Sequence, residues 1–238
     1  MSEISSLRFC ATAPHRCSYL DHKEAVTVFV DPDLMVSDEQ YKRLNDAGFR
    51  RSGNYIYKPQ CRSCSACISV RIPIEDFKPR RTQKRTISKN NDIFLKTNPP
   101  KSTYEHYNLY EKYIVDRHPE GDMFPPTPEQ YDTFLTSSSR QSFFLEARLE
   151  NKLIAVTNFD IIPDRGLSAI YTFFDTDTSF KQRSLGRLMI LNLISIGSEM
   201  ELSYLYLGYW IRKSEKMNYK TEYRPLEMLV GNRWIKVS

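Results

Sequence analysis

The cysteines are the first residues whose type and spacing suggest chemistry. Cys61, Cys64 and Cys67 are each separated by two residues, which is a metal-ligand spacing, and Cys17 could complete a tetrahedral set. The alternative is a set of structural thiols near the start of a strand, and the spacing alone favours neither interpretation. Five cysteines without a disulfide framework are typical of a reducing compartment, so we expect a cytoplasmic protein.

A second chemical feature is the turn that leads from a strand into a helix within residues 173–188. The sequence predicts that this helix begins at Arg183, Ser184, Leu185 and Gly186. The first turn of a helix leaves backbone N–H groups without intrahelical partners, and these groups favour anions and hydroxyl-bearing ligands. An ordinary capped helix would have the same pattern, so this motif needs support from the rest of the chain.

Basic and aromatic residues are concentrated in two stretches. The first stretch, residues 202–223, carries Tyr209, Lys213, Lys216, Tyr219 and Lys220. Lysines beside tyrosine rings are typical of surfaces that bind single-stranded nucleic acid. The second stretch, residues 78–89, has six basic side chains and no acidic one, which indicates a solvated segment that can bind phosphate. The simpler interpretation of the first stretch is a core strand followed by a solvated helix.

The overall composition is that of a globular chain with a mild excess of positive charge. The 238 residues include 34 Lys and Arg against 29 Asp and Glu, which gives a formal net charge of +5. This charge permits a nucleic-acid partner but does not require one. The sequence has no secretory-signal pattern, and its longest apolar runs are too short to cross a bilayer, so we expect no membrane association. The composition does not indicate an oligomeric state.

The order of predicted elements indicates an α+β (mixed α/β) fold. A capping box at Ser37 opens a helix, and a second capping box is predicted at Ser102. Residues 143–175 predict three consecutive antiparallel strands, and residues 183–200 predict a long helix. Asn98 and the two prolines after it are typical of a linker, so we place a domain boundary there.

The longest motifs of the chain resemble the arginyl-tRNA–protein transferase family. These motifs are CSY at residues 17–19, GFRRSGNYIYKP at 48–59, SVRI at 69–72, RSLG at 183–186, YLYLGYWI at 204–211, KMNYK at 216–220 and RPLEML at 224–229. The resemblance extends over nearly the whole chain. The CSYL form at residues 17–20 is similar to the bacterial branch of the family, whose members transfer leucine.

The resemblance implies a particular division of the fold. Residues 99–238 are expected to form an acetyltransferase-like (GCN5-related) domain that carries out aminoacyl transfer. Residues 1–98 are expected to form a smaller domain with the cysteine cluster and the basic stretch. The RSLG turn is similar to part of a pyrophosphate-binding loop, but Leu188 replaces its second glycine. This replacement argues against a coenzyme A-dependent acetyltransferase.

The reaction that the resemblance implies joins an amino acid from a tRNA to a protein. The α-amine of a protein that begins with Asp or Glu attacks the ester at the 3′ end of an aminoacyl-tRNA, and the product is marked for degradation. Because the ester is already activated, positioning, proton removal and oxyanion stabilisation suffice. The chemistry requires no cofactor, although a structural zinc ion or an iron–sulfur cluster at the cysteines is compatible with what the resemblance implies.

The resemblance also assigns roles to four groups of residues. The aminoacyl-tRNA is expected to contact Arg183, Ser184, Leu185, Gly186, Tyr209, Lys213, Lys216, Tyr219 and Lys220. Its phosphates are expected to follow a track formed by Lys78, Arg80, Arg81, Lys84 and Arg85. Arg51, Lys58 and Arg71 are expected to bind the acceptor carboxylate, because arginine binds carboxylates through two nitrogens; a surface ion pair is the alternative for each. Tyr171 and Asp175 are expected to orient the amine, although Asp175 could equally be a turn or cap residue.

Two other functions stay open at this point. The nearer one is arginyl transfer to the same acceptors, because the residues alone do not specify the donor amino acid. The more distant one is a zinc-dependent RNA-binding module without catalysis, in which the cysteines and the basic stretch are the functional parts.

Overall fold

The computed structural model describes residues 4–136 and 141–237. The α-helices of these ranges are α1 (Asp38–Asp46), α2 (Arg81–Ser88), α3 (Tyr104–Arg117), α4 (Pro128–Tyr131) and α5 (Leu185–Glu199). The strands are β1 (Phe9–Ala11), β2 (His15–Arg16), β3 (Glu24–Ala25), β4 (Thr27–Val30), β5 (Arg50–Ser52), β6 (Tyr55–Pro59), β7 (Ile68–Pro73), β8 (Ile93–Asn98), β9 (Ser142–Leu149), β10 (Lys152–Ile162), β11 (Gly166–Phe174), β12 (Tyr204–Trp210), β13 (Leu226–Val230) and β14 (Arg233–Val237). Short 3-10 helices cover Ile4–Ser6, Thr178–Arg183 and Glu215–Glu222, and a π-helical turn covers Asp132–Thr136.

A mixed eight-stranded sheet forms the centre of the fold. Its strand order is β14-β13-β7-β12-β11-β10-β9-β8. Strands β9, β10 and β11 are consecutive and antiparallel, as the sequence predicted, whereas β11 and β12 are parallel and are connected through α5. This arrangement confirms the mixed α/β class.

Strands from both sides of residue 98 share this sheet. β7 pairs with β12 and β13, and β8 pairs with β9 at the sheet edge. The smaller sheet, β1-β4-β6-β5, comes entirely from the first part of the chain. The first part therefore contributes both a separate layer and two strands of the central sheet, and the division at residue 98 stays a prediction.

The two faces of the central sheet are covered differently. Helix α5 packs on one face with an almost continuous set of buried apolar side chains, among them Met189 and Leu193. Two groups of elements cover different parts of the opposite face. The small sheet and α1 cover one part, and α3 and the segment after it cover the other. Burial of apolar surface on both faces stabilises the sheet, because each buried leucine or phenylalanine contributes about 1.5–3 kcal/mol.

The helix starts agree with the sequence in one case and differ in two. Ser37 and Gln40 form the predicted capping box of α1. Helix α3 is capped by Thr103, not by Ser102, since the Thr103 side chain accepts a hydrogen bond from the His106 N–H. Helix α5 begins at Leu185, later than predicted, because the left-handed backbone of the preceding residue separates it from a 3-10 helix. None of the helices in the described ranges combines the length and the apolar character that a bilayer crossing demands.

Candidate active site

The parallel strands β11 and β12 separate along their lengths and leave a gap in the sheet, which we call the strand opening. Their pairing ends at Ser168 and Tyr206, although β11 continues to Phe174 and β12 to Trp210. A bulge also interrupts the register of β12 against β7 between Tyr206 and Tyr209. Bulges often lie next to active sites, and open α/β sheets bind ligands beyond the carboxyl ends of their strands. The strand opening is therefore the candidate active site.

Gly208 lies in this bulge, beside the amine of Lys220. Its φ of +79° lies in the left-handed region, which glycine adopts without a steric penalty. A Cβ atom at this position would lie 3.6 Å from the Lys220 Nζ atom. The amine donates a hydrogen bond of 2.5 Å to the carbonyl oxygen of Tyr209. Lys220 therefore packs directly against the backbone of the β12 bulge.

Lys220 is almost completely buried, with 7% of its surface exposed. Burial lowers the pKa of its amine to about 7, and the positive charge of Arg50 contributes to this shift. The amine lies against the β12 bulge, at the edge of the strand opening. The expected contact between Lys220 and tRNA phosphates stays a prediction.

Arg50 is the nearest functional group that the sequence analysis missed. Its guanidinium is buried and donates through Nη1 to the carbonyl oxygens of Asn45 and Phe49, at 3.0 and 2.5 Å, and through Nη2 to the Ser69 hydroxyl. Its Nε atom has no hydrogen-bond partner among the residues that the structure describes. The adjacent arginines at 50 and 51 were the available signal, and because neighbouring residues on a strand point to opposite sides, the two side chains have different surroundings.

The two tyrosines predicted to contact the tRNA differ in exposure. The Tyr209 hydroxyl donates to the carbonyl oxygens of Gly48 and Tyr57, at 2.8 and 3.1 Å, and so connects β12 to the small sheet. This hydroxyl is engaged inside the fold, which makes Tyr209 a structural connection rather than a stacking platform. Tyr219 is 44% exposed. Lys213 and Lys216 are exposed on the same segment, and their contact with tRNA stays a prediction.

Tyr171 lies on the separated part of β11. Its ring packs against Phe134 and Tyr113, with centroid distances of 5.2 and 6.3 Å. Its hydroxyl is buried and has no hydrogen-bond partner within the described ranges. Burial raises the pKa of this hydroxyl well above its ordinary value, so the group stays protonated at neutral pH and can donate a hydrogen bond.

Asp175 is held by two lysines at the end of β11. Its carboxylate accepts hydrogen bonds from Lys112 at 2.6 Å and Lys152 at 2.7 Å, and its side chain is 3% exposed. Burial alone would raise the pKa of this carboxyl, but the hydrogen bonds from the two lysines outweigh burial and lower it. Asp175 is thus a carboxylate paired with two lysines, and its role in orienting the amine stays a prediction.

Arg51 is a buried structural cation. Its Nε and Nη2 atoms each lie 2.7 Å from one oxygen of the Asp160 carboxylate, and both side chains are essentially inaccessible. The Tyr41 hydroxyl donates to the same carboxylate at 2.6 Å. An acceptor carboxylate cannot reach this guanidinium, so the expected acceptor contact of Arg51 is corrected.

Arg71 is likewise engaged, and Lys58 is partly engaged. Arg71 donates to Glu227 at 2.7 Å and to Asp46 at 3.0 Å, and its guanidinium carbon lies 3.6 Å from the centre of the Tyr204 ring. These contacts remove Arg71 from the expected acceptor site. The half-buried Lys58 amine donates to the carbonyl oxygen of Ala47 at 2.8 Å, and burial lowers its pKa.

The turn before α5 has the predicted residues in a different arrangement. Arg183 forms an ion pair with Asp92 through contacts of 2.7 and 2.9 Å. Ser184 has a left-handed backbone, and no side-chain cap bond is formed at this helix start. Gly186 faces Phe174, since a Cβ atom there would lie 3.2 Å from the phenylalanine ring. The first turn of α5 thus packs on the end of β11, beside the strand opening.

Helix α2 presents the predicted phosphate track to solvent. Its buried residues are Gln83 and Thr86, and the helix packs against α5. The basic side chains of this track are all exposed: Lys78, Arg80, Arg81, Lys84 and Arg85. Within the described ranges, no carboxylate forms an ion pair with any of them. Their role in binding phosphates stays a prediction, and the structure leaves these cations free for it.

The four cysteines named as a metal set line one small cavity of about 30 Å³. Burial raises the pKa of the Cys67 thiol to about 11, and the neighbouring thiols of Cys61, Cys17 and Cys64 contribute. Across residues 4–136 and 141–237, no group of three or more His, Cys, Asp or Glu side chains is arranged to hold a metal ion. The four thiols are therefore neighbours, but among the described residues they are not arranged as the ligands of a metal ion.

A cleft of about 470 Å³ separates the β5–β6 hairpin from the segment around α4. Its walls include Tyr55 and Phe134, and Phe134 also packs against Tyr171 of the strand opening. The hairpin approaches the π-helical turn so closely that a Cβ atom at Gly53 would lie 2.7 Å from the Thr133 carbonyl oxygen. No sequence motif indicated this cleft, because its two walls lie far apart in the chain.

The comparisons with known proteins identify the family. The profile "Arginine-tRNA-protein transferase, N terminus" matches residues 15–85, and the profile "Arginine-tRNA-protein transferase, C terminus" matches residues 105–230. The chain belongs to this family. It is 47% identical to the aspartate/glutamate leucyltransferase of Pseudomonas syringae pv. syringae (strain B728a). The alignment spans 235 residues, which are 99% of each chain. It is 44% identical to the protein of that name from Pseudomonas aeruginosa (strain LESB58), over the full length of both chains.

Two solved structures illustrate how far the fold likeness extends. FemX matches with a TM-score of 0.47 and 8% identity, over 90% of this chain and 82% of that one. The GCN5-related glucosamine N-acetyltransferase region of a fungal multi-domain GH3 β-N-acetylglucosaminidase matches with a TM-score of 0.44 and 12% identity, over 86% of this chain and 22% of that one.

Proposed function

We propose that this protein transfers leucine from Leu-tRNA to the N-terminal amine of proteins that begin with Asp or Glu, and so marks them for degradation. The observation that carries this proposal is the full-length similarity, at 44–47% identity, to relatives named aspartate/glutamate leucyltransferase. We further propose that the protein works in the cytoplasm, where aminoacyl-tRNA is made and where free thiols persist.

The reaction is the aminolysis of an ester. The acceptor nitrogen attacks the carbonyl carbon of the leucyl ester, a C–N bond forms, and the bond from that carbon to the ribose oxygen of the tRNA breaks. Holding both substrates in one orientation supplies most of the rate enhancement, because the ester needs no further activation. Hydrogen-bond donors must face the oxygen that becomes negative in the tetrahedral intermediate. The unpartnered Tyr171 hydroxyl is a suitable donor at the strand opening.

The tRNA is proposed to approach along the exposed cations. The basic face of α2 would contact phosphates of the acceptor arm, and Lys213, Lys216 and Tyr219 would contact the single-stranded 3′ end. The first turn of α5 lies between these two surfaces and beside the strand opening, because α5 packs against α2 and against Phe174. This order leads the ester end of the tRNA toward the opening.

The acceptor chain is proposed to enter through the cleft between the β5–β6 hairpin and α4. This cleft adjoins the strand opening at the contact between Phe134 and Tyr171. An extended N-terminal segment of a protein fits a cleft of about 470 Å³ with only its first residues. The acceptor amine would then meet the ester from the side opposite to α5.

A transfer assay tests the proposal. The protein is incubated with labelled Leu-tRNA or labelled Arg-tRNA and with peptides that begin with Asp, Glu or Ala. We expect label to move from Leu-tRNA onto the Asp and Glu peptides and not onto the Ala peptide.

The other outcomes distinguish the alternatives. Transfer from Arg-tRNA alone would support the same reaction with arginine as the donor amino acid. The matching family profiles are described as arginine-tRNA-protein transferases, which is why this donor is included in the assay. Binding of tRNA without transfer from either donor would overturn the enzyme and favour a non-catalytic RNA-binding module.

A further inference from the structure

Lys220 is a buried lysine without an acidic partner. Its surface is 7% exposed, and no carboxylate within the described ranges forms an ion pair with it. Transfer of a charged amine out of water is unfavourable unless a counter-charge compensates it. Buried ionisable groups without a counter-charge cluster at functional sites, which makes Lys220 a candidate functional residue.

The surroundings of this amine hold it in one place and keep negative charge away. Nζ donates to the carbonyl oxygen of Tyr209 and lies beside Gly208. The charged and titratable groups near it are Arg50 from β5 and Tyr219, whose ring centre lies 5.8 Å from Nζ. A second positive charge and no carboxylate favour the neutral form of the amine.

The amine also lies where the reaction needs a proton acceptor. The bulge of β12 forms one side of the strand opening, and Tyr219, whose ring centre lies 5.8 Å from the amine, interacts electrostatically with Tyr171 on the other side. An α-amine that enters the opening from the cleft beside Tyr171 would therefore approach the Lys220 amine. At neutral pH that α-amine is largely protonated, and a protonated amine cannot attack an ester.

We propose that the neutral amine of Lys220 removes the proton that the acceptor's α-ammonium group must lose before it attacks the leucyl ester. This inference rests on the proposed aminoacyl transfer and adds a catalytic residue to it. Lys220 becomes an ammonium when it takes the proton. The acceptor nitrogen then forms the new C–N bond, its second proton passes to the departing ribose oxygen, and Lys220 returns its proton to solvent.

The ionisation of Lys220 suits this step. Its pKa of about 7, caused mainly by burial, leaves a substantial fraction of the amine neutral at physiological pH. General bases are most effective when their pKa lies near the working pH, and they contribute about 10²–10⁴-fold to rate. An ordinary exposed lysine would be almost fully protonated and could not take part.

The test uses the full-length protein with Lys220→Arg and Lys220→Met. Arginine keeps a hydrogen-bond donor for the Tyr209 carbonyl but cannot lose its proton at neutral pH, whereas methionine removes both properties. We expect each variant to lower kcat for an Asp-peptide acceptor by about 100-fold or more. Lys236→Met, an exposed lysine that pairs with Asp76, is the matched control and should leave kcat unchanged.

A second acceptor separates proton removal from a structural role. In this peptide an aminooxy group replaces the α-amine of the first aspartate, and that group is already unprotonated at neutral pH. We expect the loss caused by the Lys220 variants to shrink at least tenfold with this acceptor. An equal loss with both acceptors, or activity of Lys220→Arg equal to wild type, would overturn the proposal.

The pH dependence and the fold of the variants complete the test. For the wild-type protein, kcat with the saturating Asp peptide should rise with pH through about 7 and level off above it. Circular dichroism and tRNA binding verify that the variants fold, and the wild-type profile decides the question if they do not: a kcat that is independent of pH between 6 and 8 would contradict a base at Lys220. Failure of the wild-type protein to transfer leucine or arginine would instead overturn the proposed function.

Discussion

Arg51 and Lys220 are both buried basic side chains, but their environments are opposite. Arg51 binds the Asp160 carboxylate through two hydrogen bonds of 2.7 Å, and the Tyr41 hydroxyl donates to the same carboxylate. Among the residues that the structure describes, Lys220 has a backbone carbonyl as its one hydrogen-bond partner and lies near a second positive charge, that of Arg50. One cation is therefore matched inside the fold, and the other is not.

The difference separates a structural cation from a reactive one. The carboxylate keeps Arg51 charged and fixed, so this pair connects β5 to β10 and holds the small sheet on the large one. The lack of a carboxylate makes the charged form of Lys220 unfavourable and leaves its amine able to exchange a proton. Both side chains are buried, so burial does not distinguish a structural cation from a reactive one. The presence or absence of a carboxylate partner does.

The largest expected effect comes from breaking the matched pair. Arg51→Met leaves the Asp160 carboxylate buried without its counter-charge, and we expect a loss of about 3–5 kcal/mol in the free energy of unfolding, measured with urea. Arg183→Met removes an ion pair that is partly exposed, with Asp92, and should cost at most about 1 kcal/mol. Equal losses in the free energy of unfolding for the two variants would show that the buried ion pair contributes no more to stability than the exposed one.

Removal of the unmatched cation should have the opposite sign. Lys220→Met eliminates a buried charge, so we expect the variant to be more stable than wild type by on the order of 2–4 kcal/mol at pH 6. Because the pKa of Lys220 is lower in the folded than in the unfolded state, wild-type stability rises with pH between about 7 and about 10.5. The advantage of the variant should therefore shrink above pH 7 in urea unfolding. A pH-independent difference would contradict the lowered pKa.

The bulge glycine offers a smaller perturbation of the same site. Gly208→Ala forces a side chain into a left-handed backbone beside Nζ of Lys220, and we expect a loss of about 1–2 kcal/mol together with reduced transfer. Gly231→Ala is a matched control, because Gly231 also has positive φ but no atom lies near its Cβ position. A comparable loss of activity in both variants would show that the β12 bulge has no specific role in the reaction.

The smallest expected effect concerns the exposed cations of α2. Arg81→Ala and Lys84→Ala should each reduce the slope of log affinity for tRNA against log salt concentration by about 1, with little change in stability. Lys42→Ala on α1, where the lysine pairs with Glu39, should leave the slope unchanged. Filter-binding titrations at several salt concentrations measure this, and an unchanged slope for the α2 variants would exclude them from the tRNA interface.

The sequence predicted the parts of the fold whose signals are local. The alternating residues of β9 to β11 and the capping box at Ser37 were recognised because each depends on neighbours in the chain. The start of α5 was placed too early, since nothing in the residue types revealed the left-handed backbone of Ser184. The candidate site was predicted less well than the elements, because the resemblance supplies positions in motifs but not the partners that each basic side chain meets in the fold.

Local sequence patterns are enough to predict most elements, the mixed α/β class, the basic stretch of α2 and the family. Which cations are available depends on the tertiary structure. Arg51 meets Asp160 across 109 residues, and Arg71 meets Glu227 across 156 residues. No pattern of spacing contains such pairings, because they arise when distant strands come together in one sheet. The same assembly buries Lys220 beside Gly208 without placing a carboxylate next to it. This matters because the burial and the partners of a side chain set its pKa.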